Sequence, residues 1–171
     1  MLDIETLGNR DDSIVVSIGA VFFDPNTGET GAEFERVLAY QDQIDKGRKP
    51  TQSTMQFWFS QEKEPQKIFL EDGISTDQAL QEFEGFICDN AKIDQVKPWG
   101  NGPSFDLTIM ESLFRDFGFQ IPWCFWNVRC LRTFKEYIYN GKDLKREGVY
   151  HDAKDDCKHQ IKVIHKGLNK E

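Results

Sequence analysis

Asp3-Ile4-Glu5 sets two carboxylates two residues apart. Side chains alternate along a β-strand, so both acids would project from one face of a sheet. Leu2, Ile4 and Leu7 flank them, and Gly8 ends the run. Two acids in apolar surroundings repel each other and lose hydration unless a cation lies between them, a role that suits a hard divalent metal. The plain alternative is a solvated strand end. Asp106 closes the polar loop Asn101-Gly102-Pro103-Ser104-Phe105-Asp106 ahead of an apolar helix, where an acid can equally be a cap. His151-Asp152-Ala153-Lys154-Asp155-Asp156 opens the last helix. Asp156 shares its inward side with Ala153 and Cys157, whereas Asp152 and Asp155 fall toward the polar side as first-turn dipole charges. His151 precedes that helix, as an ordinary flanking histidine or as a base able to swing over the same site. Each cluster alone is weak evidence. All three lie at strand ends or helix starts, where an open α/β sheet gathers its ligands.

The elements that must hold these acids follow from periodicity. Ile14 to Phe23 is rich in β-branched and aromatic residues, Asp24-Pro25-Asn26-Thr27-Gly28 is a turn, and Gly31 to Leu38 completes a hairpin. Ser53 to Ser60 predicts a short helix carrying Met55, Phe57, Trp58 and Phe59. Ser75 with Gln78 predicts a capping box ahead of the buried face Ala79, Leu80, Phe83, Phe86 and Ile87. Val96 to Gly100 predicts a strand, and a helix starts near Phe105 or Asp106 with Ile109, Met110, Leu113, Phe114 and Phe117 inward. Trp126 to Cys130 predicts another short strand, followed by a helix over Leu131 to Tyr139. Ala153, Cys157, Ile161, Ile164 and Leu168 recur at helical spacing. Strands alternating with helices after an opening hairpin imply an α/β fold with a mixed sheet flanked by helices.

At 171 residues, with no repeat or linker, the chain is expected to form one domain over residues 1–171. The apolar fraction of 39%, with fourteen Phe and four Trp, is enough for a real core and excludes disorder as the main state. No apolar run approaches the roughly 20 residues that span a bilayer, and no secretion leader opens the chain, so a cytoplasmic protein without membrane contact is expected. Cys88, Cys124, Cys130 and Cys157 form no CxxC pair, which favours reduced, inert thiols over a zinc site. The net charge of −8 argues against broad, tight binding of a polyanion. The basic residues are nonetheless grouped, at Lys46-Gly47-Arg48-Lys49, at Arg129, Arg132 and Lys135, and from Lys142 to Arg146, where they could guide a phosphate backbone.

Taken in chain order, Asp-x-Glu, a mid-chain Asp opening a helix, and His-x-x-x-x-Asp resemble the DEDDh exonucleases of the ribonuclease H-like superfamily. Ser53-Thr54-Met55-Gln56-Phe57-Trp58 and Phe125-Trp126-Asn127-Val128-Arg129-Cys130-Leu131-Arg132-Thr133 are similar to segments of its phage-type and mycobacterial 3′-to-5′ branch. In that branch an acid usually follows the second segment's Arg, where this chain has Cys130. The first strand also looks shorter than the family's.

The resemblance implies a ribonuclease H-like fold and a 3′-to-5′ exonuclease that acts on single-stranded 3′ ends of DNA or RNA and releases nucleoside monophosphates. It implies two divalent metal ions, Mg²⁺ or Mn²⁺. Asp3 would bridge both, Glu5 and Asp156 would hold the one carrying the attacking water, and Asp106 would support the second. His151 would be the general base. By resemblance Thr6 and Leu7 line the pocket of the terminal nucleotide. Phe57 and Trp58 are candidates for stacking on bases, with core packing the alternative for Phe57. Trp126 and Arg129 would border the cleft, and Asn101 and Ser104 are hydrogen-bonding candidates. His159 and His165 are given no role. A homodimer is expected by resemblance alone. The competing readings are a catalytically silent nucleic-acid-binding module and a polymerase-associated proofreading subunit.

Overall fold

The computed structural model describes residues 1–61 and 63–169. Three antiparallel strands, β1 (Leu2–Thr6), β2 (Val15–Phe23) and β3 (Thr30–Val37), form a sheet in chain order. Helices α1 (Gln41–Asp45), α2 (Gln52–Ser60) and α3 (Lys63–Gln66) follow, then a 3₁₀ turn at Lys67–Leu70 and the long α4 (Thr76–Asn90). Next come β4 (Trp99–Gly100), α5 (Asp106–Asp116), a 3₁₀ turn at Phe125–Asn127, β5 (Arg129–Cys130), α6 (Leu131–Tyr137) and α7 (Ala153–Leu168). β4 and β5 pair in parallel, and β4 lies beside β1. The result is the expected α/β fold of sheets flanked by helices. Its antiparallel and parallel pairings fall in two sheets, of three and of two strands.

Strand register decides which helix meets the acids. Asp3 pairs with Gly19 and Glu5 with Ser17, so these four positions share one face with Glu35 and Val37 across β2. The other face carries Leu2, Ile4, Ile18, Ala20 and Phe34, buried against Leu80 and Phe83 of α4 and Met110 and Phe114 of α5. Helix α7 covers the acid-bearing face. Its Cys157, Ile161 and Ile164 are buried with Val21, Leu131 and Phe134, while Lys158 ion-pairs with Glu33 at 2.8 Å and Lys154 pairs with Glu35. A third apolar cluster joins Leu7, Ile14 and Val16 to Trp58 of α2.

Gly19 sets how closely α7 approaches. A Cβ there would lie 2.4 Å from the carbonyl carbon of Ala153 and 2.5 Å from the Lys154 nitrogen. The obstacle is backbone, so it cannot rotate aside. Gly19→Ala is therefore expected to lift the first turn of α7 and to cost about 1–3 kcal/mol, the usual range for overpacking. Urea unfolding checks this, and a midpoint equal to wild type would show that the helix start can give way freely.

Several local expectations shift. The strand expected over Val96 to Gly100 shrinks to Trp99–Gly100, since Pro98 has no N–H for a ladder and offers only its carbonyl, to the Arg129 N–H at 2.8 Å. The strand expected over Trp126 to Cys130 keeps only Arg129–Cys130, because the Asn127 N–H closes a turn onto the Cys124 carbonyl at 2.9 Å. α6 stops at Tyr137, where the N–H groups of Ile138 and Tyr139 both turn back to the Phe134 carbonyl. Half of the capping box forms: Ser75 Oγ accepts the Gln78 N–H at 3.3 Å, but the Gln78 side chain reaches Glu82 instead of returning to the cap. Phe59, on the helix expected over Ser53 to Ser60, and Leu168, at the end of the apolar series of α7, are exposed. Arg48, read as a phosphate guide, is buried: it pairs with Asp116 at 2.6 Å and donates to the Ser13 and Asp11 carbonyls, clipping the loop to α5.

Candidate active site

Because α7 lies across the face that carries Asp3 and Glu5, its first turns bring Asp156 and Gln160 to those acids. Asp152 caps the helix by accepting the Asp155 N–H at 2.9 Å, and Asp155 accepts the Val149 N–H at 2.8 Å. Gln160 is buried, and its Nε2 donates to Asp3 Oδ1 at 2.8 Å. From the opposite side, β4 and the start of α5 deliver Asp106, which is only 4% exposed. Its Oδ2 accepts the Gly102 N–H at 3.4 Å, and a Cβ on Gly100 would lie 3.0 Å from that oxygen. The lack of a side chain at Gly100 is what lets the carboxylate sit against β4.

His151 completes the cluster. One ligand atom each from Glu5, His151 and Asp156 lie within 4.8 Å of one another. The backbone of His151 adopts φ 61°, the left-handed region that residues other than glycine rarely occupy, and Gly148 just before it sits at φ 83°. That turn lays the imidazole edge-on against Phe57, centroids 5.1 Å apart, and near Trp58 at 5.9 Å.

The charges are poised for a cation. Burial foremost, then the Asp106 and Asp156 charges, push the Asp3 carboxyl well above the usual carboxylate range, against the pull of Gln160 and Arg146. Glu5 is raised in the same way, by burial and then by Asp3, Asp156 and Asp106. Burial raises Asp106 to about 6, although the Gly102 N–H opposes it. A proton held more tightly folded than unfolded stabilises the fold at low pH, and that contribution disappears as pH rises through the folded pKa. The Asp106 share is thus fully present below the ordinary value of 3.8 and lost as pH rises through about 6, and the raised Asp3 and Glu5 contribute with the same sign. In EDTA, the gap in melting temperature between Asp106→Asn and wild type is expected to widen in favour of the variant from pH 4 to 7, and Mg²⁺ is expected to narrow it. A gap that stays flat with pH would show that the carboxylates are not mutually strained.

A family model, described as the 3′-5′ exoribonuclease Rv2179c-like domain, matches residues 1–168. The chain belongs to this exonuclease family. It is also similar to the exodeoxyribonuclease of Enterobacteria phage T4, at 28% identity over 198 aligned positions, covering 96% of this chain and 86% of the phage protein. Among solved structures it matches cell-death related nuclease 4 (CRN-4) with a TM-score of 0.53 and 14% identity, over 98% of this chain. The chain spans 63% of that structure's length, and the likeness is one of fold.

For a 3′-to-5′ exonuclease the donor set fits a divalent cation. It is three buried or half-buried carboxylates raised chiefly by burial, two of them also by neighbouring acids, a fourth carboxylate beside an imidazole, and the Gln160 Oε1, buried at their edge with no hydrogen-bond partner. Among the described residues, no helix is long and apolar enough to cross a membrane.

The residues expected to touch substrate fare differently. Trp58 is buried, edge-on to Phe69, with its Nε1 donating to the Thr6 carbonyl at 2.8 Å, so it is not presented for stacking on a base. It fixes the end of β1 instead. Phe57 is 41% exposed beside His151. The Leu7 side chain is spent in the core with Ile14 and Val16, and the Thr6 hydroxyl donates to the Gly8 carbonyl. Asn101 Oδ1 accepts from Lys135 Nζ at 3.3 Å, while Ser104 is exposed. Trp126 is 65% exposed and edge-on to Phe125 at 4.9 Å, and the Arg129 guanidinium turns back to the Trp126 and Val128 carbonyls.

Three residues join the site that the sequence did not place among the acids, although Lys135 and Arg146 belong to the basic groups read as able to guide a phosphate backbone. Gln160 lies four positions after Asp156 on the same helix face, a spacing that could have found it. Lys135, half-buried, is lowered by desolvation and by Arg132 while Asp156 and Asp3 pull it upward, so its ammonium lies near the acids. Arg146 ion-pairs with Asp156. It comes from an irregular loop, and no periodicity points to it.

Proposed function

We propose that this chain is a metal-dependent exonuclease of the DEDDh arrangement that removes nucleoside monophosphates one at a time from single-stranded 3′ ends, of DNA or RNA. The observation that carries this reading is the convergence of Glu5, His151 and Asp156 within 4.8 Å, on the face that also holds Asp3. Asp3, Glu5, Asp106 and Asp156 would hold two divalent cations, Mg²⁺ or Mn²⁺, with Asp3 shared. Such cations supply charge neutralisation at phosphorus, a more acidic water and stabilisation of the leaving 3′ oxygen. His151 takes the proton of the attacking water as its oxygen bonds to phosphorus and the bond to the 3′ oxygen breaks. The left-handed turn at His151 and the rings of Phe57 and Trp58 hold the imidazole over Glu5 and Asp156. Gln160 fixes one oxygen of Asp3, leaving the other for a cation. Phe57, partly exposed beside the imidazole, would stack on the terminal base. Stacking of this kind is worth about 1–3 kcal/mol.

The family description names an exoribonuclease and the phage relative an exodeoxyribonuclease, so both sugars belong in the test. Matched single-stranded RNA and DNA, labelled at either end, are followed over time with Mg²⁺, Mn²⁺ or EDTA. The 3′ label is expected to leave first as a mononucleotide, and EDTA to stop release. Turnover in EDTA, or internal cuts, would reject the reading. The family resemblance also leads us to expect a homodimer, and light scattering at monomer mass would count against it.

A further inference from the structure

Arg146 occupies an unusual position. Its guanidinium ion-pairs with Asp156, and the two side chains are only 14% and 16% exposed. One Nη donates to the Val149 carbonyl at 2.9 Å, the guanidinium lies 4.2 Å over the ring of Tyr150, and Nε is buried without a partner. Its charge also pulls down on Asp3, so it acts on two of the four acids. It is carried by the segment between α6 and α7, which has no helix or strand from Ile138 to Asp152.

A buried carboxylate cluster needs positive charge, and besides the nearby Lys135 ammonium Arg146 supplies it through a direct ion pair with Asp156. That charge conflicts with the cations assigned above. A divalent ion held by Asp156 needs the same carboxylate and brings like charge beside the guanidinium, so the two compete. The segment is tethered on both sides of Arg146, by Asp143 to Lys166, by Glu147 to Lys162 and by the Val149 N–H to Asp155, so the part that turns is the Arg146 side chain alone. Once turned, the fork of N–H donors lies beside the place where a phosphate arrives, and a guanidinium binds phosphate oxygens through paired, charge-assisted hydrogen bonds.

Resting on the exonuclease reading of Asp156, we propose that Arg146 is a substrate-positioning residue held in reserve. It neutralises Asp156 until a divalent cation displaces it, and it then grips a phosphate of the bound strand. The test compares wild type with Arg146→Gln, Arg146→Lys and Asp156→Asn. Mn²⁺ binding without substrate is followed by electron paramagnetic resonance, and KM and kcat are measured on a short single strand. Arg146→Gln is expected to bind Mn²⁺ about tenfold more tightly and to raise KM about tenfold with kcat little changed, the scale of one charged hydrogen-bonded contact. Arg146→Lys is expected to recover part of both. Unchanged Mn²⁺ affinity in Arg146→Gln overturns the displacement, and unchanged KM overturns the phosphate contact. Asp156→Asn tests the underlying reading: if it keeps full Mn²⁺ binding, the metal site itself is wrongly assigned. If it loses binding while Arg146→Gln behaves as wild type, only the role of Arg146 falls.

Discussion

Asp3→Asn is expected to lower Mg²⁺-dependent nucleotide release by at least about a thousandfold, as loss of several kcal/mol of cation-borne stabilisation requires. The same change is expected to make the cation-free protein more stable. Asparagine keeps the shape and can still accept the Gln160 N–H that now meets Oδ1 at 2.8 Å, but it removes a charge that burial, Asp106 and Asp156 all oppose. A gain of about 1–3 kcal/mol in EDTA is reasonable for relieving such a site. Opposite signs for activity and stability are the signature to look for. A variant that loses both would point to a damaged fold, and one that keeps its turnover would remove Asp3 from the chemistry.

His151→Ala is expected to reduce kcat by about 10²–10⁴-fold, the usual contribution of a positioned general base. Mn²⁺ affinity separates two ways of losing that rate. A base leaves it unchanged when removed, whereas a ligand takes affinity away with it, and Glu5, Asp156 and His151 lie close enough for either. Full activity in the alanine variant would reject both. The backbone offers an independent check. At φ 61° a β-carbon costs roughly 1–2 kcal/mol, so His151→Gly should be more stable than His151→Ala by about that amount while remaining as inactive. Equal stabilities would mean that the turn relaxes once the imidazole is gone.

What is legible in the sequence follows the physics of repetition. Asp3 and Glu5 share a face because strands repeat every two residues, and Asp156 turns inward with Ala153 and Cys157 because helices repeat every 3.6. Long elements carry enough repeats to be read, as β2, α4, α5 and α7 do. β4 and β5, two residues each, carry no period, and their strands are expected too long. Trp58 and Phe57 are neighbours of similar chemistry, and only the packing of α2 against Leu7 and Ile14 tells which one is buried. Arg48 looks like any basic loop residue until Asp116, far along the chain, closes on it. Arg146 is hidden for the same reason: its partner is set by where the loop comes to rest, which no local pattern encodes.

The hydrogen bond from Gln160 to Asp3 joins positions 157 residues apart. Closing so long a loop is slow compared with forming a hairpin or a helix, and it requires nearly all of the described chain to be present. Chains are made from the N-terminus, so Asp3 and Glu5 emerge first and wait beside an unfilled face until α7 follows. On the site assignment proposed above, a nascent or C-terminally clipped chain would lack Asp156 and could not cut. On that assignment the chemistry waits for α7 to dock, so the site is armed only once the fold has closed.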